Sequence, residues 1–225
     1  MQALTRKAIK GQVEFVLVLA LLLFLPAWSL GFWQGWVYWL IFTACTTGIT
    51  LYFLAKDPAL VERRLKAGAA AEREPSQKRI QAAAGMAVCA IMVVPGLQYH
   101  VDPTSIPVVV VAAADLLLAL SFWIIFLVFR ENSHASSIIE VHADQTVIST
   151  GPYAVVRHPM YAGASLMFLA TPLALGSTWA LALTPVVVIV LAVRLLDEER
   201  FLSRNLPGYD AYCRKVRWRL VPRVW

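Results

Sequence analysis

Residues 106–129 read IPVVVVAAADLLLALSFWIIFLVF, an apolar run of 24 residues in which Asp115 is the single charged group. A run of this length matches the roughly 20 residues that a helix needs to cross a hydrocarbon core. In that medium backbone polar groups must be satisfied within the segment, so a lone apolar run of this kind spans as a helix. Working outward, the same pattern recurs at 13–30, 33–55, 80–98, 160–175 and 179–196. The last two stretches are short and joined only by Gly176, Ser177 and Thr178, which predicts a tilted or re-entrant helical hairpin. The expected fold is all-α: a polytopic membrane bundle of about six transmembrane helices, with a cap on one face.

Composition agrees with that reading. Hydrophobic residues make up 59% of the chain and charged residues 15%, with a mean hydropathy of +0.65, too apolar for a soluble domain of this size. With the spans above, all 20 Lys and Arg residues fall on one side, and the opposite loops offer only His100 and Asp102. Basic residues favour the cytoplasmic side of short loops, so both termini and the polar cap are expected to be cytoplasmic. The net charge of +6 then describes a basic face suited to anionic lipid headgroups. Because these residues flank the spans and form no separate domain, nucleic acid is not an expected partner. The basic start and apolar core of the first 30 residues resemble a secretory leader, but the segment is read as a retained first helix. Cys45, Cys89 and Cys213 provide neither a disulfide framework nor metal-ligand spacing, so no metal site is expected.

The chain divides unevenly. Residues 1–129 read as a scaffold of four helices, while 130–225 hold the long polar loop, the hairpin and a basic aromatic tail. That loop, ENSHASSIIEVHADQTVISTGPY at 131–153, has no helical periodicity. Long loops of this kind are usually functional or disordered. Alternation of polar and β-branched residues at 138–141 and 146–149 predicts extended segments folded over a site.

The polar residues concentrate at 151–163, GPYAVVRHPMYAG. Pro159 suits the first turn of a helix, leaving the amides of Met160 and Tyr161 free beside Arg157 and His158. Such a helix start binds anionic groups. Gly163, one turn further in, leaves room for a flat ligand or for a second backbone. Thirty-one residues later come Arg194 and Glu198, four apart and so on one helix face, followed by Glu199.

Together GPY, RHPMYAG, Arg194-x-x-x-Glu198-Glu199 and Tyr209-x-x-Tyr212 resemble the isoprenylcysteine carboxyl methyltransferases and their phospholipid methyltransferase relatives, over about residues 130–225. The resemblance implies an integral membrane methyltransferase that uses S-adenosylmethionine in a cytoplasm-facing pocket. It implies a cofactor site formed by His142, a strand of Gln145, Thr146, Val147 and Ile148, then Tyr153, His158, Pro159, Met160, Tyr161 and Gly163, closed by Glu198 and Glu199. Arg194 would bind the acceptor and share catalysis with Glu198. The tail, VRWRLVPRVW, departs from the eukaryotic carboxyl methyltransferase pattern, which ends shorter and less basic. The acceptor is expected to be a lipophilic small molecule or lipidated substrate: a prenylated cysteine carboxylate, a lipid amine, a thiol or another apolar acid.

The residues suit those roles chemically. Glu198 can accept the ammonium of S-adenosylmethionine, the Pro159 helix start and Arg157 its carboxylate, and Tyr153 and Tyr161 can flank its ring. Methyl transfer is an in-line displacement that loses the sulfonium charge, so a dry, aligned pocket supplies most of the acceleration. Arg194 could then orient an acceptor carboxylate bidentately.

Two other function classes stand beside this one. Sterol reductases resemble the same superfamily in their carboxy-terminal half, but the loop supplies only Arg130 and Arg157 for the 2′-phosphate of NADPH. A non-enzymatic transporter centred on Asp115 should show inverted repeats or paired broken helices, and none is evident. Asp115 itself is expected to face a cavity or to bond Ser121, Thr43, Thr46 or Thr47, because an ionisable group inside a span needs a partner. Tyr209, Tyr212, Trp218 and Trp225 read as an interfacial aromatic belt, and His134 as a loop residue.

Overall fold

The computed structural model describes residues 2–72, 74–103, 106–138, 141 and 145–225. In chain order the helices are α1 (Gln2–Ala27), α2 (Trp33–Lys56), the short α3 (Pro58–Arg64), α4 (Pro75–Val101) and α5 (Val108–Glu131), then α6 (Pro159–Ala174), α7 (Thr178–Leu181), α8 (Thr184–Asn205) and α9 (Tyr209–Lys215). Five segments are long and apolar enough to cross a membrane: α1, α2, α4, α5 and the stretch Thr178–Asn205 that joins α7 to α8. At 16 residues α6 is shorter, about 24 Å at 1.5 Å per residue, as the expected hairpin requires.

Several helices run past their apolar stretches. α1 begins at Gln2, α4 at Pro75 and α8 ends at Asn205, because no breaker interrupts the polar turns at those ends. Starts are set locally. Asp57 accepts the Leu60 amide at 3.0 Å and Pro58 occupies the first turn of α3, while prolines also open α4, α6 and α8.

The core lies where α1, α2, α4, α5, α6 and α8 meet, around Leu23, Tyr38, Ile91, Leu118 and Leu175. Phe42 of α2 meets Phe122 of α5 edge to face, with ring centroids 4.8 Å apart. The far tip of the hairpin is held by one buried side chain. Gln98, near the end of α4, accepts from Ser177 Oγ at 2.7 Å and from the Trp179 amide at 3.0 Å, and donates to Thr178 Oγ1 at 3.0 Å. Since Gln98 stands three residues before the end of α4, the hairpin reaches the same level as a full-length span. Gly176 turns the chain there with φ of 65°, a left-handed conformation that glycine adopts without steric cost.

At the opposite end gather the last turns of α2, α5 and α8, the first turns of α4 and α6, and the polar connections between them. Arg63 donates to the Ser133 carbonyl at 2.6 Å, and Ser76 to Asp197 at 2.9 Å, so the α3–α4 connection is bound to both the long loop and α8. The extended segments expected in the loop form no strand among the described residues, and 145–149 is irregular chain.

Asp115 is 8% exposed, and its Oδ1 has no hydrogen-bond partner. Three of the expected partners are engaged elsewhere, since Ser121 Oγ donates to the Leu118 carbonyl and Thr46 and Thr47 accept from Gln12, while Thr43 Oγ1 is buried without a hydrogen-bond partner. Asp115 does not line the cavity described next.

Candidate functional site

A cavity of about 510 Å³ opens among the long loop, the start of α6 and the end of α8 and continues down between α4, α5, α6 and α8. That volume falls within the roughly 300–1,000 Å³ usual for ligand pockets. Its two ends differ in chemistry. The loop end is bounded by Tyr153, His158, Glu198, Tyr209 and Tyr212, and the bundle end by Ala87, Val88, Met167, Phe168, Val187 and Leu191.

Most of the expected site residues meet at the loop end. Gln145, Thr146, Val147, Ile148, Tyr153, His158, Pro159, Met160, Tyr161, Arg194 and Glu198 all line the cavity, although they are distributed over 54 positions of sequence. His142 lies outside the described residues. At the start of α6, His158 occupies the cap position without a side-chain cap bond, which leaves the amides of Met160 and Tyr161 without intrahelical acceptors. Arg157 stands beside them, its Nε buried and without a hydrogen-bond partner.

Tyr161 joins α6 to α8. Its hydroxyl donates to Glu198 Oε2 at 2.5 Å and accepts from Arg194 Nε at 3.2 Å. Arg194, expected to face an acceptor carboxylate, meets an internal one. Its Nη2 pairs with Glu72 Oε1 at 2.8 Å and reaches the Ser137 carbonyl at 3.1 Å, while Nη1 donates to Gln81 Oε1. The Glu72 side chain is fully buried in this pair.

Two expected cofactor residues take other roles. Glu199 does not line the cavity but holds two guanidiniums and a ring: Arg157 Nη2 at 2.8 Å, Arg219 Nε at 2.8 Å and the His158 ring at 3.2 Å. This clamp is reinforced by main chain, since the Arg157 and His158 amides donate to the carbonyls of Trp218 and Arg219 at 2.8 and 3.0 Å. The basic tail is thereby part of the site's frame. Gly163 faces α5, where an added Cβ would stand 3.1 Å from Ile125 Cγ1 and 3.3 Å from the Ser121 carbonyl oxygen. Its role is close helix packing, the second-backbone alternative, and it lies off the cavity wall.

Sequence reasoning missed other walls. Tyr209 and Tyr212, read as an interfacial belt, are 4% and 6% exposed and close the loop end. Tyr209 Oη lies 3.3 Å from His158 Nε2, and Tyr212 donates to the Tyr153 carbonyl at 2.8 Å. The Tyr-x-x-Tyr spacing, one helical turn, was the available signal. His134 also reaches the cavity, as do Asn132, Gln81 and Arg64. Burial pushes the Tyr153 hydroxyl up to about 12, with the Glu198 and Glu131 carboxylates adding to the rise against the opposing Asn132 hydrogen bond. Burial raises Tyr209 and Tyr212 as well, so all three remain phenols and hydrogen-bond donors at neutral pH.

The residues fit S-adenosylmethionine. A carboxylate (Glu198), free helix-start amides beside the unpartnered Arg157 Nε, and a buried tyrosine cluster answer its ammonium, carboxylate and adenine in turn. Residues 109–207, from the start of α5 through the end of α8, match the family model of the phospholipid methyltransferases. No curated protein matches the chain. The matched stretch holds both RHPMYAG and the Arg194–Glu199 segment, and over it the chain is similar to the phospholipid methyltransferases.

Proposed function

We propose that this protein transfers a methyl group from S-adenosylmethionine to a lipophilic acceptor at the cytoplasmic surface of a membrane. The observation that carries this reading is the two-ended cavity, polar against the loop and apolar between the spans. The family match supplies the methyltransferase class, and the cavity supplies the reason for a greasy acceptor.

When bound, S-adenosylmethionine would supply an electrophilic methyl carbon on a sulfonium that becomes a neutral thioether, the acceptor supplying the electron pair for the new bond. Glu198 would hold the ammonium, and the Met160 and Tyr161 amides with Arg157 would hold the carboxylate. Tyr153, Tyr209 and Tyr212 enclose the ring and exclude water. Tyr161 fixes Glu198, and Arg194 fixes Tyr161, so the polar contacts are oriented before ligands arrive. The acceptor's tail lies between α4, α5, α6 and α8, entering from the bilayer, and its reacting end rises to the level of Tyr161.

The cytoplasmic placement of the cap and both termini rests on the one-sided distribution of Lys and Arg. Incubating the purified protein with methyl-labelled S-adenosylmethionine and a membrane lipid extract tests the activity. Label should pass into an organic-soluble product, and label confined to the aqueous phase with every extract tried would contradict the proposal.

A further inference from the structure

The charge around Arg194 constrains what an acceptor can carry. A guanidinium has five N–H donors. Four are accounted for by Tyr161 Oη, Gln81 Oε1, Glu72 Oε1 and the Ser137 carbonyl. The positive charge is also neutralised, because Glu72 lies 2.8 Å from Nη2 with its side chain fully buried. Glu198 adds a second carboxylate one helical turn along α8, bound to Tyr161 at 2.5 Å. Arg194 and Glu198 line the cavity, while Glu72 stands behind Arg194 off the cavity wall, so the guanidinium that faces the cavity already carries its own buried counter-charge.

We infer that Glu72 is a specificity-determining residue that excludes carboxylate acceptors, so that the lipophilic acceptor presents a nucleophile without negative charge, such as an amine, thiol or hydroxyl. An incoming carboxylate would have to displace a buried, hydrogen-bonded Glu72 or stand as a third anion beside the pair, and like charges brought together in a desolvated site repel strongly. The local chain presents Glu72 for this purpose. Gly68 opens a 3₁₀ turn over Ala69–Ala71, and extended backbone at Glu72 then points its side chain inward ahead of Pro75 at the start of α4. Gln81, six residues into α4, holds the other side of the guanidinium.

This inference rests on the methyltransferase reading, and two binding measurements separate them. S-adenosylhomocysteine is first titrated into the purified protein in maltoside detergent, and decanoate and decanol are then titrated into the S-adenosylhomocysteine-saturated protein, with blanks for micelle partition. The wild type should bind decanol at least about tenfold more tightly than decanoate. Glu72→Gln should tighten decanoate by at least about tenfold and move decanol by no more than about twofold, with Glu72→Asp keeping the wild-type preference. A wild type that prefers decanoate, or a Glu72→Gln variant that binds S-adenosylhomocysteine yet leaves the preference unchanged, overturns the role of Glu72 alone. Should Glu72→Gln fail to fold, the wild-type preference decides. Absence of S-adenosylhomocysteine binding by the wild type overturns the underlying reading and this inference with it.

Discussion

Tyr161 donates its hydroxyl to Glu198 at 2.5 Å, tying the first turn of α6 to the last turns of α8. The contact joins the two sequence motifs across 37 residues, and it aims the carboxylate at the cavity while accepting support from Arg194. The helix start and the acidic helix end thus form one site.

Glu198→Gln should weaken S-adenosylhomocysteine binding by about 1.5–3 kcal/mol, the range for a hydrogen bond to a charged group. Tyr161→Phe should weaken it less, because the carboxylate stays charged and loses only its orientation. Calorimetric titration in detergent measures both. Equal affinity in wild type and Glu198→Gln would remove Glu198 from the cofactor pocket.

Arg194→Ala removes the guanidinium 2.8 Å from the fully buried Glu72 side chain, and losing one member of a buried pair costs roughly 3–5 kcal/mol. The variant should show a lowered thermal midpoint in detergent. Adding Glu72→Ala should recover part of that loss, since the buried carboxylate is then gone. A double variant no more stable than Arg194→Ala would show that the pair does not govern stability.

Much of this fold was legible in the chain. The apolar runs gave the spans, and Gly176 to Thr178 gave the hairpin, because a bilayer imposes a length that composition alone reveals. RHPMYAG and Arg194 to Glu199 gave one wall of the site, since proline at a helix start and i,i+4 spacing are local rules. The opposite wall was not legible. Gln81, Tyr209 and Tyr212 reach the cavity only through tertiary packing, and Glu72, which backs Arg194 from off the cavity wall, sits 122 residues from it. Gly163 and Glu199 were placed on the right elements, but sequence does not fix which way a residue faces when both faces of the element are covered.

Arg219→Ala should release the tail from Glu199. Amide exchange at Arg157 and His158 should then quicken, because those amides donate to the carbonyls of Trp218 and Arg219. Hydrogen–deuterium exchange read by mass spectrometry on peptides spanning 153–160 checks this. Exchange indistinguishable from wild type would mean that the tail holds without the ion pair.

Gly163→Leu should force α6 away from α5, as a Cβ there already stands 3.1 Å from Ile125 Cγ1. Overpacking of this kind costs typically about 1–3 kcal/mol. Gly163→Ala should cost less and leave S-adenosylhomocysteine affinity unchanged, because the residue lies off the cavity wall. Comparing thermal midpoint with ligand affinity in the two variants separates packing from binding. Weakened affinity in a fully stable Gly163→Ala protein would return Gly163 to the cofactor site.

The central claim is that the loop end of the cavity binds S-adenosylmethionine. Its most direct test is calorimetric titration of the purified protein in detergent with S-adenosylhomocysteine and, separately, with NADPH. Saturable, one-to-one binding of S-adenosylhomocysteine, weakened by Glu198→Gln, with no heat from NADPH, is the predicted result. Saturable binding of NADPH with none of S-adenosylhomocysteine would contradict the claim and assign the cavity to a reductase.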